Sequence, residues 1–257
     1  MIKTVYLSDV GRVRSVNEDC TWVDRLEQGY TLGVVADGMG GHQAGDVASS
    51  LAVETITRDL AGLPGGLSVR DFGEELRKAI LHANEVVFRK ASEHEEYRNM
   101  GTTVVAVLLA GRDGMVGHIG DSRAYKYRRG EIVQLTDDHS LVNELLKSNQ
   151  ISAEEANVHP HRNVVTRALG TDEQVDVDMN RITLEPGEIL LLCSDGLSNY
   201  VTPEQMTLTL GLDDLALHDR ADRLLQMALH AGGDDNISIA LLEQHEDAGS
   251  GIKEWNS

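Results

Sequence analysis

The sequence predicts an α+β fold in which two mostly antiparallel β-sheets pack face to face and helices cover their outer sides. Short apolar or β-branched runs recur along the whole chain, a pair of helical stretches follows the third run, and a second helical group comes late. Strand runs interrupted by helix pairs are typical of sheets packed on each other with helices outside. The 257 residues, 41% of them hydrophobic, can bury one substantial core. We therefore expect one domain over residues 1–243 and a tail over residues 244–257.

Nine runs rich in β-branched and aliphatic residues predict the strands. They span residues 4–7, 20–23, 31–36, 102–110, 115–119, 123–127, 132–135, 189–193 and 237–242.

Two helical stretches lie between the third and fourth predicted strands. Apolar residues recur at helical spacing over 44–52 and again over 72–87, and the Gly- and Pro-containing residues 62–66 predict the turn between them. The late helical group begins at Thr202, where Gln205 completes a capping box, and its second helix runs over 221–230 into Gly232 and Gly233. These pairs supply the outer helices of the predicted fold.

The segment 140–170 differs from the rest of the chain. It carries a capping box from Ser152 to Glu155 but few large apolar residues. We expect it to form an excursion on the surface.

The composition excludes several classes of function. A net charge of -19 disfavours nucleic-acid partners, because affinity for nucleic acids depends on Lys and Arg that neutralise phosphates. No apolar run approaches the length of a membrane span, and the N-terminus has no signal-peptide pattern, so we expect a cytosolic protein without membrane insertion. Cys20 and Cys193 offer neither a disulfide framework nor a zinc pattern. We predict that both are packing residues, since Cys193 lacks the arginine that a cysteine-dependent phosphatase needs six residues further on.

Aspartates recur at the ends of the apolar runs, often beside glycine. They are Asp37, Asp121, Asp195 and Asp235, with Asp19 as a further acidic residue near the start. If these ends converge at one edge of the sandwich, the crowded charges require cations. Oxygen ligands select Mn2+ or Mg2+ over Zn2+. For any single Asp-Gly pair, a simple turn is the alternative.

Two further residues would complete a reaction centre. Arg14 offers a planar guanidinium that can hold two phosphate oxygens at once. His42 follows the glycine-rich turn after Asp37 and has a side chain suited to protonating a leaving oxygen. The Gly38 carbonyl is a further candidate ligand, because a glycine lets the backbone approach an ion closely.

Short motifs in a fixed order resemble those of the metal-dependent PPM/PP2C protein phosphatases over nearly the whole chain. The motifs occupy residues 11–19, 35–42, 101–104, 120–123, 137–140, 194–196 and 234–236. The resemblance implies a four-layer α-β-β-α sandwich with the metal site at one edge and a flap subdomain over about 140–170. Within this family, the chain looks most like the compact bacterial branch, whose members oppose Ser/Thr kinases.

The same resemblance implies roles for individual residues. Asp37 would bridge two ions, the Gly38 carbonyl would bind one of them, and Asp195 and Asp235 would bind the other. Asp19 would act through metal-bound waters, and Asp121 would help Asp195 hold a weaker third ion. Arg14 would bind the phosphate and His42 would serve as general acid. His159, His161 and Arg162 of the flap are candidates for substrate contact, with ordinary loop polarity as the alternative.

The function expected is hydrolysis of phosphoserine and phosphothreonine in proteins by a water activated at two Mn2+ or Mg2+ ions. Phosphorylated proteins are the expected partners, together with a Ser/Thr kinase that acts on the same substrates, and a monomer is the default. Two alternatives remain open. One is a phosphatase dedicated to a single regulator, such as an anti-sigma-factor antagonist, and the other is a non-catalytic module that binds a cation or a phosphoprotein.

Overall fold

The computed structural model describes residues 1–40 and 44–245, and it confirms the α+β sandwich of two sheets with helices outside. The strands are β1 (Ile2–Asp9), β2 (Asp19–Arg25), β3 (Tyr30–Met39), β4 (Gly101–Thr102), β5 (Val104–Ala110), β6 (Asp113–Ile119), β7 (Arg123–Arg128), β8 (Glu131–Gln134), β9 (Asp178–Thr183), β10 (Ile189–Cys193) and β11 (Ile237–Gln244). The helices are α1 (Ala44–Ala61), α2 (Val69–Glu93), α3 (Leu141–Lys147), α4 (Ala153–Asn157), α5 (Asp195–Ser198), α6 (Pro203–Leu210) and α7 (Leu217–Ala231), with a 3-10 turn over Glu95–Tyr97.

The strands form two antiparallel sheets. The first sheet has the order β1-β11-β10-β7-β8, and the second has the order β2-β3-β5-β6-β9, with the short β4 beside β3. Helices α1 and α2 pack on the second sheet, and α6 and α7 contribute the outer apolar layer of the first. A third apolar layer fills the space between the sheets.

The central strands are apolar throughout because both of their faces are buried. In β10, Leu191 and Cys193 face the helices of the first sheet, while Leu190 and Leu192 face the other sheet. Successive side chains of a strand point to opposite faces, so each face requires its own apolar set. These strands fix the sheet ends from which the acidic residues project.

Helix ends follow the predicted capping signals. The Thr202 hydroxyl accepts a hydrogen bond from the Gln205 N–H at 3.3 Å, and the Gln205 side chain accepts one from the Thr202 N–H at 2.9 Å. The same reciprocal pair joins Ser152 and Glu155 at the start of α4. Helix α7 ends at Gly232, whose φ of +153° is unfavourable for other residues.

Several features differ from the sequence-based expectation. Strand β9 was not predicted, because its sequence Asp-Met-Asn-Arg-Ile-Thr buries only Ile182 fully. The flap over 140–170 contains the two short helices α3 and α4, and none of the α3 side chains is fully buried. Strand β11 reaches Gln244, which pairs with Ile2, and the rest of the predicted tail from residue 246 lies outside the described residues.

Candidate metal centre and active site

Chain topology brings the five predicted aspartates to one edge of the sandwich. Asp19 opens β2 directly opposite Asp37 of β3, Asp121 follows β6, Asp195 follows β10, and Asp235 precedes β11. Because neighbouring strands are antiparallel, the end of one strand lies beside the start of the next. A cleft of about 290 Å³ at this edge is lined by four of the aspartates together with Arg14 and Gly38. Asp19 lies next to the cleft, through its pairing with Asp37.

The crowded carboxyl groups repel one another. Burial, and then repulsion from Asp19 and Asp195, raises the pKa of Asp37 well above its ordinary value. Burial also raises the pKa of Asp19 and of Asp121 to about 7, and burial together with the charge of Asp235 raises the pKa of Asp195 to about 6. A hydrogen bond from Asp37 partly offsets the shift at Asp195. Such a group of carboxylates becomes favourable when divalent cations neutralise it.

Asp37 is held in place by its backbone. Its N–H donates to the Thr103 hydroxyl at 3.2 Å, and its carbonyl accepts from the Thr103 N–H and from the Thr102 hydroxyl, both at 2.9 Å. Asp37 lies within β3, two residues before its end, so the strand continues past the carboxylate that we expected at its terminus. The adjacent β4 explains this extension, since Gly38 and Met39 pair with it.

Gly38 sits where no side chain fits. A Cβ atom at this position would lie 2.0 Å from the Gly45 carbonyl oxygen and 2.5 Å from that of Glu18. The Gly38 N–H also donates to the Glu18 carbonyl at 3.0 Å. The backbone of β3 therefore packs directly against β2 and the start of α1, and the Gly38 backbone itself lines the cleft.

The carboxyl group of Asp19 is suited to bind a cation. Its Oδ2 accepts a hydrogen bond from the Ser194 hydroxyl at 2.8 Å, and that hydroxyl accepts from the Ser238 N–H at 2.9 Å. Its Oδ1 is buried and has no hydrogen-bond partner. An unpaired buried carboxylate oxygen is costly. The donor set therefore fits a hard divalent ion or its coordinated water.

Arg14 reaches across the cleft. Its Nη2 donates to Asp235 Oδ2 at 2.9 Å, while its side chain remains 49% exposed. Asn236 shapes the segment that carries Arg14, because its amide donates to the Val10 and Val16 carbonyls at 2.9 and 3.0 Å. Its Oδ1 accepts from the Glu18 N–H at 2.8 Å. His42, the predicted general acid, lies outside the described residues.

Residues of the flap line both the cleft and a second groove beside it. Arg162 lines a second groove of about 670 Å³ that shares Asp121 and Asp195 with the cleft. Asn163 and Val165 line the cleft itself. His159 and His161 lie side by side, with ring centroids 5.8 Å apart, and neither is among the residues that line the cleft or this groove. Of the three predicted flap contacts, the structure therefore brings Arg162 to the site.

The two cysteines are packing residues. Cys193 is fully buried in the outer layer of the first sheet, and burial raises the pKa of its thiol to about 12. Cys20 packs at the margin of the layer beneath α1 and α2. A nucleophilic role requires an accessible thiolate, so neither residue suits cysteine-based catalysis.

Several supporting residues were not singled out from the sequence. Thr103 and Thr102 hold Asp37, Ser194 holds Asp19, and Asn236 holds the Arg14 segment. Each of the four belongs to a quoted motif, but a Thr, Ser or Asn beside an acidic residue has no distinctive spacing. Only the fold shows which backbone groups they bind.

Comparison with known proteins gives concordant results. The sequence profile of the family protein phosphatase 2C matches residues 12–240. A relative from Listeria welshimeri, described as serine/threonine phosphatase stp, is 38% identical over 240 residues, which cover 93% of this chain and 95% of the relative.

Two solved structures are similar over nearly their whole length. The S. agalactiae serine/threonine phosphatase is 36% identical with a TM-score of 0.87, covering 96% of this chain and 100% of that chain. The catalytic domain of the serine/threonine protein phosphatase PstP, in complex with two manganese ions, is 32% identical with a TM-score of 0.84, covering 95% of this chain and 99% of that chain.

Proposed function

Because this chain belongs to the protein phosphatase 2C family, we propose that it hydrolyses phosphoserine and phosphothreonine in proteins with two divalent cations at the acidic cleft. The observation that carries the proposal is the convergence of Asp37, Asp121, Asp195 and Asp235 on that cleft. The relatives described as serine/threonine phosphatases favour the enzyme over a non-catalytic binding module.

The residues that would hold the ions are those the cleft presents. We expect Asp37 to hold both ions, the Gly38 carbonyl to hold one of them, and Asp195 and Asp235 to hold the other, since all four residues line the cleft. Asp19 completes the acidic set through its unpaired Oδ1. When bound, Mn2+ or Mg2+ supplies Lewis-acid chemistry that polarises the phosphoryl oxygens and activates the attacking water. Manganese is the ion present in the PstP structure, and Mg2+ is an extension on the grounds of ligand chemistry.

Arg14 is the residue that we expect to orient the phosphate. Asp235 holds one end of the guanidinium, so the remaining N–H groups are available at the half-exposed mouth of the cleft. A fixed fork of donors matches two phosphate oxygens and stabilises the charge that they carry in the transition state. The proton for the leaving serine or threonine oxygen would come from His42. We expect Arg162, which lines the groove that shares Asp121 and Asp195 with the cleft, to contact the peptide around the phosphorylated residue.

The cellular setting follows from the same premise. We propose that the enzyme acts in the cytoplasm, because two free cysteines fit a reducing compartment. We also propose a signalling role in which it opposes a Ser/Thr kinase that acts on the same substrates. Within the described part of the chain, no helix combines the length and the apolar character of a membrane span.

The substitution Asp37→Asn tests the assignment. It keeps the shape of the side chain but removes the central charge, so Mn2+-dependent hydrolysis of p-nitrophenyl phosphate should be lost while the circular dichroism spectrum stays native. Asp24→Asn, an exposed carboxylate of the neighbouring strand β2, is the matched control and should retain full activity. Full activity of Asp37→Asn would refute the proposed centre.

A further inference from the structure

A second cluster of titratable groups lies between the two sheets. His118 of β6, His139 just before α3, and Asp178 at the start of β9 offer ligand atoms within 4.8 Å of one another. The two imidazole rings are stacked, with centroids 4.8 Å apart and an angle of 20° between the planes. Histidine lone pairs lie in the plane of the ring, so nearly parallel rings do not direct them at a common ion. The cluster is therefore better described as a stacked histidine pair with a hydrogen bond from His139 to Asp178 than as a metal site.

The direction of these hydrogen bonds fixes the form of His139. The Gly120 N–H donates to His139 Nδ1 at 3.1 Å, so this nitrogen carries no proton. The proton therefore resides on Nε2, which donates to Asp178 Oδ2 at 3.3 Å. Burial is the main reason that the pKa of His139 is lowered to about 4. The ring is thus a neutral acceptor towards residues 120–122, which we call the Asp121 turn, and a donor towards β9.

The backbone of His139 binds the same turn. Its N–H donates to the Gly120 carbonyl at 2.9 Å, so main chain and side chain hold both polar groups of Gly120. Gly120 has a φ of +106°, and a Cβ there would lie 2.5 Å from Thr103. The residue that follows this constrained glycine is Asp121, which lines both the cleft and the groove.

The network also reaches the flap. The His139 carbonyl accepts from the Thr166 N–H at 2.8 Å, where the flap returns to the domain. Arg167, the next residue, donates to Asp178 Oδ1 at 3.2 Å, while His139 binds the other oxygen of that carboxylate. A continuous path therefore runs from the flap through Asp178 and His139 to the Asp121 turn.

We propose that His139 is a positioning residue with two separate bonds: its Nδ1 fixes the Asp121 turn, and its Nε2 anchors the flap through Asp178. The proposal rests on the proposed function, because it takes Asp121 to be one of the cation-binding carboxylates. Replacing a residue that orients a metal ligand by hydrogen bonding typically lowers metal affinity 10- to 100-fold. Unlike the other supporting residues, His139 bonds both to the Asp121 turn and, through Asp178, to the flap.

The two polar bonds of the ring can be separated by substitution. In His139→Asn, the amide oxygen takes the place of Nδ1 and can still accept from Gly120, but the side chain no longer reaches Asp178. In His139→Gln, the amide occupies the place of Nε2 and keeps the bond to Asp178, but the turn loses its acceptor. Arg220→Met is the matched control. It removes the hydrogen bonds of a buried guanidinium to the Leu210 carbonyl and to Glu243, and these bonds do not involve the Asp121 turn.

Mn2+ binding by calorimetry and hydrogen exchange of residues 118–122 and 141–167 are the readouts. We expect His139→Gln to weaken the weakest class of Mn2+ sites about tenfold or more and to speed exchange at the turn. His139→Asn should keep Mn2+ affinity within about threefold of the native chain and speed exchange in the flap. Arg220→Met should lower the melting temperature without either effect.

Native Mn2+ binding and native exchange in His139→Gln would overturn the proposal, as would an equal loss of binding in Arg220→Met. If the His139 variants fail to fold, Asp178→Asn provides the test, since it should speed exchange in the flap while exchange at the turn stays native. Unchanged exchange in the flap would overturn the anchoring of the flap through Asp178. Failure of the proposed function would appear separately, as a native chain that binds Mn2+ but releases no phosphate from phosphopeptides.

Discussion

Replacing Asp19 by Asn should stabilise the metal-free chain and weaken its response to Mn2+. Asp19 faces Asp37 across β2 and β3, and its Oδ1 is buried without a partner. Burial raises its pKa from 3.8 to about 7. Since one pH unit corresponds to about 1.4 kcal/mol, ionising this group at pH 8 costs the folded state up to about 4 kcal/mol. Asp19 is only partly buried as a whole residue, and water screens its charge. We therefore expect Asp19→Asn to raise the free energy of unfolding by about 2 kcal/mol.

For a chain of this size, about 2 kcal/mol corresponds to a melting temperature higher by roughly 4–8 °C. The assay is thermal unfolding in EDTA at pH 8 and at pH 5, followed by the same scans with saturating Mn2+. At pH 5 the folded carboxyl is protonated while the unfolded one is still mostly ionised, so the difference between the two chains should shrink to less than half of its value at pH 8. With Mn2+ at pH 8 the order should reverse. Asp24→Asn, an exposed control on the same strand, should change stability by less than about 0.5 kcal/mol. An Asp19→Asn melting temperature at pH 8 in EDTA at or below the native value would refute the reasoning.

Three further predictions follow from the site. Because the pKa values of Asp121 and Asp195 are raised to about 7 and 6, the folded chain holds protons that the unfolded chain releases above about pH 4. Calorimetric unfolding in EDTA should therefore show stability falling from pH 5 to pH 8, and a flat or rising profile would contradict this origin of the shifts. Arg14→Ala should lower kcat/KM for a phosphothreonine peptide at least tenfold, with Arg14→Lys intermediate, and equal activity of all three chains would remove Arg14 from phosphate binding. Gly38→Ala should abolish Mn2+ binding or folding, since its Cβ would lie 2.0 Å from a carbonyl oxygen, whereas Gly62→Ala, with open space around it, should be native in both assays.

The strands that could be predicted from the sequence are those whose buried residues form a continuous apolar run. The runs that became β5 and β10 are apolar throughout because both of their faces are covered, and the predicted bounds 189–193 match β10. Strand β9 escaped prediction because it lies at a sheet edge and its polar residues bond to groups elsewhere in the chain, among them Asp178 to Arg167 of the flap and Asn180 to the Leu135 carbonyl. Its first residue, Asp178, is nonetheless central to the His139 network.

The site was predictable in its parts and not in its assembly. Asp37, Asp195 and Asp235 stand out because each is acidic beside an apolar run, but their meeting point depends on the order of strands in two sheets. That order is not encoded in local spacing, and the resemblance to a family supplied it. Residues such as Thr103 and Asn236 act through backbone groups remote in sequence, so no local pattern could assign their partners.

The most direct test of the account is phosphate release from a phosphothreonine peptide as the EDTA-treated chain is titrated with Mn2+. If the converging carboxylates hold the catalytic cations, release should be absent in EDTA and should rise to saturation with Mn2+. Release that persists undiminished in EDTA would show that the cleft does not act through metal ions and would contradict the account.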